Sequence, residues 1–431
     1  MDDSRVLRAV LLSAALSCTT PLFAQPSDDT PRVARLVKSL GADDYAARRA
    51  ADLELLRLGD DGRRQLEAAA KSEDPEVRLR ALNLLERIAV VRLWEPTSIT
   101  IEAAEQKVST VFAACSQQTG NHIFVGNPYG DFTDAVVSVR FQDKPYWQAL
   151  DALARQTGNR LRVHYDSRMS GVVVAKGVAG DFPTAYSGPV RAQIISARRA
   201  FSEELDYEDA SSEVTHTFQL NLQLMWEDRF RLVAYGAQPE VVEARTDTGV
   251  HVSGPPAASE GWNVASPSTR QVTASLKLNP PPAAANKLSL LRLRWNMIAL
   301  GEMTSILLDH PRAKSELHRE GVSLAILAFE RQLTGRIEMT VLVSRSTTIP
   351  GPPEILFQEN TIELLDAEGR ALKQQSQHHT LTERGVEFRL AFQGDSASEP
   401  AQLRFTYPRI RSRRNLEIIF RDVPLPLAKL N

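Results

Sequence analysis

Apolar positions along the chain recur first at helical spacing and later at every second residue, so the pattern divides the chain. From residue 31 to 89 the period is helical. Val77, Ala81, Leu84, Leu85 and Ile88 lie three or four apart, and Arg78, Arg80, Glu86 and Arg87 occupy most of the remainder. Asp74-Pro75-Glu76 ahead of them supplies an N-cap, a proline at the first helical position and an acid at the positive helix end. Asp44, Ala47, Arg48, Ala51, Leu55 and Leu58 repeat Asp74, Val77, Arg78, Ala81, Leu85 and Ile88 at an offset of 30 residues, with Gly41, Gly59 and Gly62 as punctuation. Self-similarity at that period predicts stacked helix pairs.

A second repeat follows. Gln118-Thr119-Gly120-Asn121 returns as Gln156-Thr157-Gly158-Asn159, and the same offset of 38 carries Ile99-Thr100-Ile101 onto Val137-Ser138-Val139. Val108, Val111, Phe112 and Cys115 form one apolar helix face; Tyr146, Ala149, Leu150 and Leu153 form the other. Each helix closes on a glycine, the residue that enters the left-handed C′ conformation at least steric cost. Short strands then run through His122–Val125, Arg160–His164 and Gly171–Ala175. The expectation is a β-α-β-β-α-β-β unit over 98–177, with one sheet covered by two helices.

From about Asp181 the period is two. Phe218, Leu220, Leu222, Leu224 and Trp226 alternate with polar neighbours, as do Val272 to Leu278, Leu291 to Met297, Ile337 to Val343, Val386 to Phe392, Leu403 to Tyr407 and Leu416 to Phe420. Strands of that kind bury one face and wet the other, which predicts antiparallel sandwiches. Asp247-Thr248-Gly249 and Asp366-Ala367-Glu368-Gly369 read as turns at comparable places. The segment 254–261 reads as a loop, and 279–285, with three prolines, as a stiff extended linker. The division expected is two sandwich-like modules, 181–311 and 312–431, with a single large sandwich as the alternative. The fold class is therefore multidomain and mainly β, with helical repeats and an α+β unit ahead of the sandwiches.

Two segments resemble known families. The helical stretch 25–92, above all Asp74-Pro-Glu-Val-Arg-Leu-Arg-Ala81, resembles HEAT-like repeats, which implies a protein-contact surface. The unit 93–180 resembles the short N-terminal (STN) domain of secretins and TonB-dependent transducers. Its bearers are the strand at 98–102, the helix ending Gln118-Thr-Gly120, the strand at 136–141, and Lys144-Pro-Tyr-Trp-Gln-Ala-Leu-Asp-Ala-Leu-Ala-Arg-Gln-Thr-Gly158. That resemblance implies protein binding in the periplasm and brings no catalytic residues with it. Downstream there is neither a secretin ring domain nor an even series of membrane strands.

The N-terminus bears on compartment. Arg5 and Arg8 precede the apolar stretch from Ala9 to Ser17, and Leu22-Phe23-Ala24 offers a cleavage point before Gln25, so 1–24 reads as a secretory signal peptide. A periplasmic or otherwise extracytoplasmic location follows. Lipoprotein anchoring at Cys18 is the weaker option, because Leu16 sits one place nearer the cysteine than such signals prefer. With Cys18 in the leader, Cys115 is left without an intramolecular disulfide partner. No later run reaches the ~18 apolar residues of a membrane helix. Fifty-one Lys and Arg against 53 Asp and Glu among 431 residues provide no basic excess for nucleic acid.

Candidate chemistry is sparse. His310 and His318 lie eight apart, a spacing that fits one helix face, but no acid or cysteine completes a zinc set. His378-His379 sits in a Gln- and Ser-rich stretch that reads as a solvated turn. Asp206-Tyr-Glu-Asp-Ala-Ser-Ser-Glu213 lacks the central glycine and alternating oxygens of a calcium loop. Cys115, on an apolar helix face, reads as a packed thiol rather than a nucleophile. Arg409, Arg411, Arg413 and Arg414 form a basic strand that fits an anionic polymer or simply a solvated edge. Hydrolase, zinc-helix and phosphate-loop motifs are missing, so no catalytic, cofactor-binding or metal residue is assigned and no cofactor is expected. The sequence favours an exported cell-envelope adaptor or scaffold with a protein partner. Its rivals are an enzyme whose site assembles only in three dimensions and a glycan- or small-ligand-binding protein using Trp262.

Overall fold

The computed structural model describes residues 30–126, 131–165, 170–177, 182–206, 211–254, 261–266, 269–319, 322–345, 360–394, 399–408 and 411–426. The expected leader, Cys18, Arg409 and most of the loop 254–261 lie outside those residues. Two compact units divide the chain, 1–88 and 89–431. No described helix is long and apolar enough to cross a membrane.

The first unit is helical: α1 (Thr30–Ser39), α2 (Tyr45–Leu58), a 3-10 turn at Gly59–Gly62, α3 (Arg63–Ala69) and the greater part of α4 (Pro75–Leu93). Val33, Leu40, Ala51, Leu55, Leu66, Ala81, Leu84 and Ile88 make its core. The 30-residue repeat extends to individual hydrogen bonds. Asp44 accepts from the Ala46 and Ala47 N–H groups at 3.2 and 3.0 Å, and Asp74 from Glu76 and Val77 at 2.8 and 3.4 Å. Both carboxylates thus satisfy donors that a helix start leaves without carbonyls. Arg48 Nη1 donates to the Ala42 and Asp43 carbonyls, both at 2.7 Å, and Arg78 Nη1 to those of Ser72 and Glu73 at 2.6 and 3.4 Å. One arginine in each copy therefore ties down the turn that feeds its own helix.

In the second unit the α+β part runs β1 (Ser98–Lys107), α5 (Val108–Thr119), β2 (Ile123–Val125), β3 (Val136–Pro145), α6 (Tyr146–Gln156), β4 (Asn159–Tyr165) and β5 (Ser170–Lys176). The order is the expected β-α-β-β-α-β-β. The offset of 38 holds for both bounds of β1 and β3, and for the positive backbone φ of Glu105 and Asp143, 51° and 47°. It holds again for the helix-ending glycines Gly120 and Gly158, at 70° and 65°, where only glycine turns without strain. One expectation is corrected. The strands make two sheets rather than one: β1 pairs antiparallel with β3, while β5 sits between β2 and β4. The long β1/β3 ribbon runs straight into the two helices, so it closes on its own copy instead of on the three short strands. Both apolar helix faces are buried, with Phe112, Cys115, Tyr146, Leu150 and Leu153 in one core.

Two sandwiches follow. The first contains β6 (Thr184–Ser187), β7 (Val190–Asp206), β8 (Ser211–Trp226), β9 (Arg231–Gly236), β10 (Glu240–Thr246), β11 (Trp262–Val264), β12 (Gln271–Leu278) and β13 (Lys287–Leu300). One sheet has the order β12-β8-β7-β6; in the other β13 lies between β10 and β9, with β11 outside β9. Phe218, Leu220, Leu222, Leu224 and Trp226 face Leu291, Leu293, Trp295 and Met297 across the core, as the alternation requires. The second contains β14 (Met303–Asp309), β15 (Glu316–Arg319), β16 (Val322–Arg331), β17 (Arg336–Arg345), β18 (Thr361–Leu365), β19 (Lys373–Thr382), β20 (Gly385–Gln393) and β21 (Gln402–Pro408). Its sheets, β14-β21-β18 and β15-β16-β17-β20-β19, enclose Ile337, Val341, Phe388, Phe392, Leu403 and Phe405.

The final strand, β22 (Arg411–Pro424), does not belong with its neighbours in sequence. It pairs along the whole of β13, from Leu300↔Arg411 to Lys287↔Pro424, and buries Leu416, Ile418, Phe420 and Val423 in the first sandwich. The boundaries expected at 311 and 431 therefore do not describe where this strand packs. Alternation shows which face of a strand is apolar but not which sheet receives it. The proline stretch 279–285 is likewise the turn joining β12 to β13 within one sandwich, with Ala285 buried. Both Asp-to-Gly signals are turns, closed by Gly249 N–H to the Thr246 carbonyl and Gly369 N–H to that of Asp366.

Candidate functional site

The α+β part is fixed to the first sandwich by polar groups, and a cleft opens beside that junction. Asp151 lies on α6 among Tyr146, Trp147, Leu150 and Ala154, and Arg191 on β7 between Val190 and Ala192. Both side chains are buried, and they meet in a two-pronged ion pair: Arg191 Nε to Asp151 Oδ2 at 2.8 Å and Nη2 to Oδ1 at 3.0 Å. The Tyr186 hydroxyl donates to Oδ2 as well, at 2.7 Å. Burial, followed by the Asp151 charge, pushes the Tyr186 phenol well above its ordinary range. Beside the pair, Trp147 Nε1 donates to the Pro189 carbonyl at 3.0 Å.

The turn between β8 and β9 grips the other end of the junction. Glu227, 1% exposed, accepts the Thr97 N–H at 3.0 and 3.2 Å and the Arg229 Nε–H at 3.0 Å, and the Thr97 hydroxyl also donates to it. Arg229 in turn donates to the Arg92 carbonyl at 3.1 Å and to that of Glu95. Asp228 Oδ2 takes both the His122 backbone N–H, at 2.7 Å, and ring Nδ1, at 3.0 Å, while its own N–H goes to Asn121 Oδ1 at 2.8 Å. This places His122 and Asp228 in the pairing that orients a proton-transfer histidine. The same carboxylate oxygen holds the backbone, which makes the pair a clamp of the β2 strand onto the sandwich.

The Asp151–Arg191 pair lies in the wall of a cleft of about 490 Å³, whose lining includes Arg155, Arg160, Arg162 and Gln193. Arg155, from α6, is exposed, and so are Arg160 and Arg162, two apart on edge strand β4 and hence on one face. The acid in the lining is already bound by Arg191 and Tyr186. The remaining guanidinium groups give the opening a positive field, suited to carboxylate or phosphate oxygens.

Residues singled out from the sequence are scattered. Cys115 is fully buried, and burial pushes its thiol up to about 12. It is therefore expected to ignore a disulfide reagent at pH 8 in the native protein and to react stoichiometrically in denaturant; rapid native labelling is the contrary result. His310 and His318 are not on a helix: residues 312–315 turn, and His318 lies on β15, exposed. His378 and His379 lie on β19 rather than in a turn, because β20 pairs with a polar edge strand as readily as with an apolar one. Of the acidic stretch 206–213, Asp206 ends β7 and Ser211 to Glu213 begin β8; residues 207–210 lie outside the described chain. Of the basic strand, Arg409 lies outside the described residues, and Arg413 and Arg414 stack on different aromatic rings. Arg413 sits over the Trp262 ring at 5.1 Å and Arg414 over Trp94 at 6.0 Å. Trp262 accordingly carries Arg413 on one face. Among the described residues no group of three or more His, Cys, Asp and Glu can hold a metal ion.

The sequence reading missed Asp151, Arg191 and Arg160/Arg162. Asp151 had a signal, an acid inside an apolar helix face; Arg191 had none, since Val190, Ala192 and Ile194 alternate regularly with Arg191 and Gln193. No protein-family model and no curated protein matches the chain.

Proposed function

We propose that the protein is an exported cell-envelope adaptor that holds an acidic segment of a protein partner in the cleft between its α+β part and its first sandwich. The proposal keeps the extracytoplasmic location read from 1–24 and the STN-like and HEAT-like readings of the two N-terminal parts. The observation that carries it is the cleft's charge: Arg155, Arg160 and Arg162 are exposed in its wall, while Asp151 is neutralised by Arg191. Edge strand β4 adds a row of backbone donors and acceptors that an extended peptide can extend.

The test is binding of a fluorescein-labelled, glutamate-rich decapeptide, followed by anisotropy. Wild type is expected to bind, less tightly as salt rises, because exposed charge pairs are screened. Arg155→Glu/Arg160→Glu/Arg162→Glu is expected to weaken binding by about tenfold or more with unchanged thermal unfolding, since like charges then face each other. Equal binding by both proteins, or none by wild type, would remove the cleft from the proposal.

A further inference from the structure

The two longest paired strands, β7 and β8, outrun their sheet. Strand β6 accompanies β7 only through Val190 to Gln193, and β12 accompanies β8 only from Phe218 onward. Past those points no described strand accompanies the pair, which continues to Asp206↔Ser211 as a two-stranded ribbon. Ribbons without a third strand or a covered face are at best marginally stable in water. This one also exposes apolar side chains on the face that continues the core: Phe201 is 63% exposed, Leu205 55% and Val214 49%. The His216 ring lies against Phe201 in a T-shaped contact, at 5.2 Å between ring centroids.

The charges along this part of β7 are arranged by sign. Arg198 and Arg199 precede Phe201, and Glu203 and Glu204 follow it. Edge strands carrying one sign of charge resist pairing with a copy of themselves. Here the order of signs makes the outcome depend on direction. A parallel copy sets Arg198 against Arg198 and Glu204 against Glu204. An antiparallel copy centred on Phe201 sets Arg198 against Glu204 twice, by the two-fold axis, and Ala197 against Leu205 twice. Each of these pairs shares a face, because strand partners at such a register have the same parity. Arg199 and Glu203, which have contacts within the chain, meet in the same register.

We propose that the exposed edge of β7 over residues 197–205 pairs antiparallel with the same segment of a second copy, giving an isologous dimer with Phe201 on its axis. The contact turns two isolated ribbons into one four-stranded sheet, brings the two Phe201 rings together and satisfies the backbone groups of both edges. It does not depend on the basic cleft or on the compartment.

Sedimentation velocity of the full chain across a concentration series reads this directly. Wild type is expected to dimerise; Arg198→Glu is expected to raise the dimer Kd about tenfold or more, since two like-charge pairs then oppose each other. Arg198→Glu/Glu204→Arg restores both pairs with signs exchanged and is expected to return the Kd to within about threefold of wild type. A chain that is monomeric at every concentration, which would assign the ribbon to a different partner, overturns the proposal. So does a dimer indifferent to Arg198→Glu, or a double variant that stays monomeric.

Discussion

Asp151→Ala is expected to destabilise the protein by about 3–5 kcal/mol, because it strands a buried guanidinium with no counter-charge. Arg191 is 5% exposed, so little water reaches its guanidinium to stand in for the lost carboxylate. Its remaining partners are Gln193 Oε1 at 3.3 Å and the Met225 sulfur at 3.7 Å, neither of which replaces a carboxylate. Tyr186 loses its acceptor in the same step. The ion pair itself is not the source of that number. Replacing both partners by Asp151→Leu/Arg191→Met removes the charge along with its counter-charge, and should recover most of the loss. Urea unfolding of the two single variants and the double variant measures the coupling. A single Asp151→Ala loss below about 1 kcal/mol would mean that Arg191 reaches solvent, contrary to its burial.

What the sequence made legible follows from what periodicity encodes. Burial of alternate residues is local, so the inward faces of β8, β13, β17, β20 and β21 could be read from Phe218, Trp295, Val341, Phe388 and Phe405 without any partner strand. Duplication was legible for a related reason. Copies at a fixed offset must satisfy the same local demands, hence paired caps at Asp44 and Asp74 and paired glycines at Gly120 and Gly158. Pairing over distance was not legible. The two sheets of the α+β part and the polar edge strand through His378-His379 depend on which backbone lies alongside. So does the junction: Asp151 and Arg191 are 40 residues apart, and neither points to the other as its partner. The exposed ribbon face was not legible either: Arg199 and Glu203 interrupt Phe201 and Leu205 on that face, and no local pattern shows where a strand outruns its partners.

The sharpest consequence of non-local pairing concerns the C-terminus. A chain stopped after Pro408 keeps every strand of the second sandwich but lacks β22, the partner of β13. Leu416, Ile418, Phe420 and Val423 leave the first sandwich core with it, each buried to 4% exposure or less. At ~1.5–3 kcal/mol per buried side chain their loss amounts to roughly 6–12 kcal/mol, an upper range because unfolded chains already bury some of that surface. Whole domains are stable by only about 5–15 kcal/mol. The truncated chain should therefore lose the first sandwich while the second, residues 303–408, retains its core. Limited proteolysis is expected to cut within 184–300 and spare 303–408. A self-contained module at 312–431 requires the reverse, cleavage within the second sandwich and protection of the first. The difference lies in Trp295, buried opposite Leu416 with its indole N–H on the Gly236 carbonyl at 2.7 Å, which uncovering should shift to a longer emission wavelength.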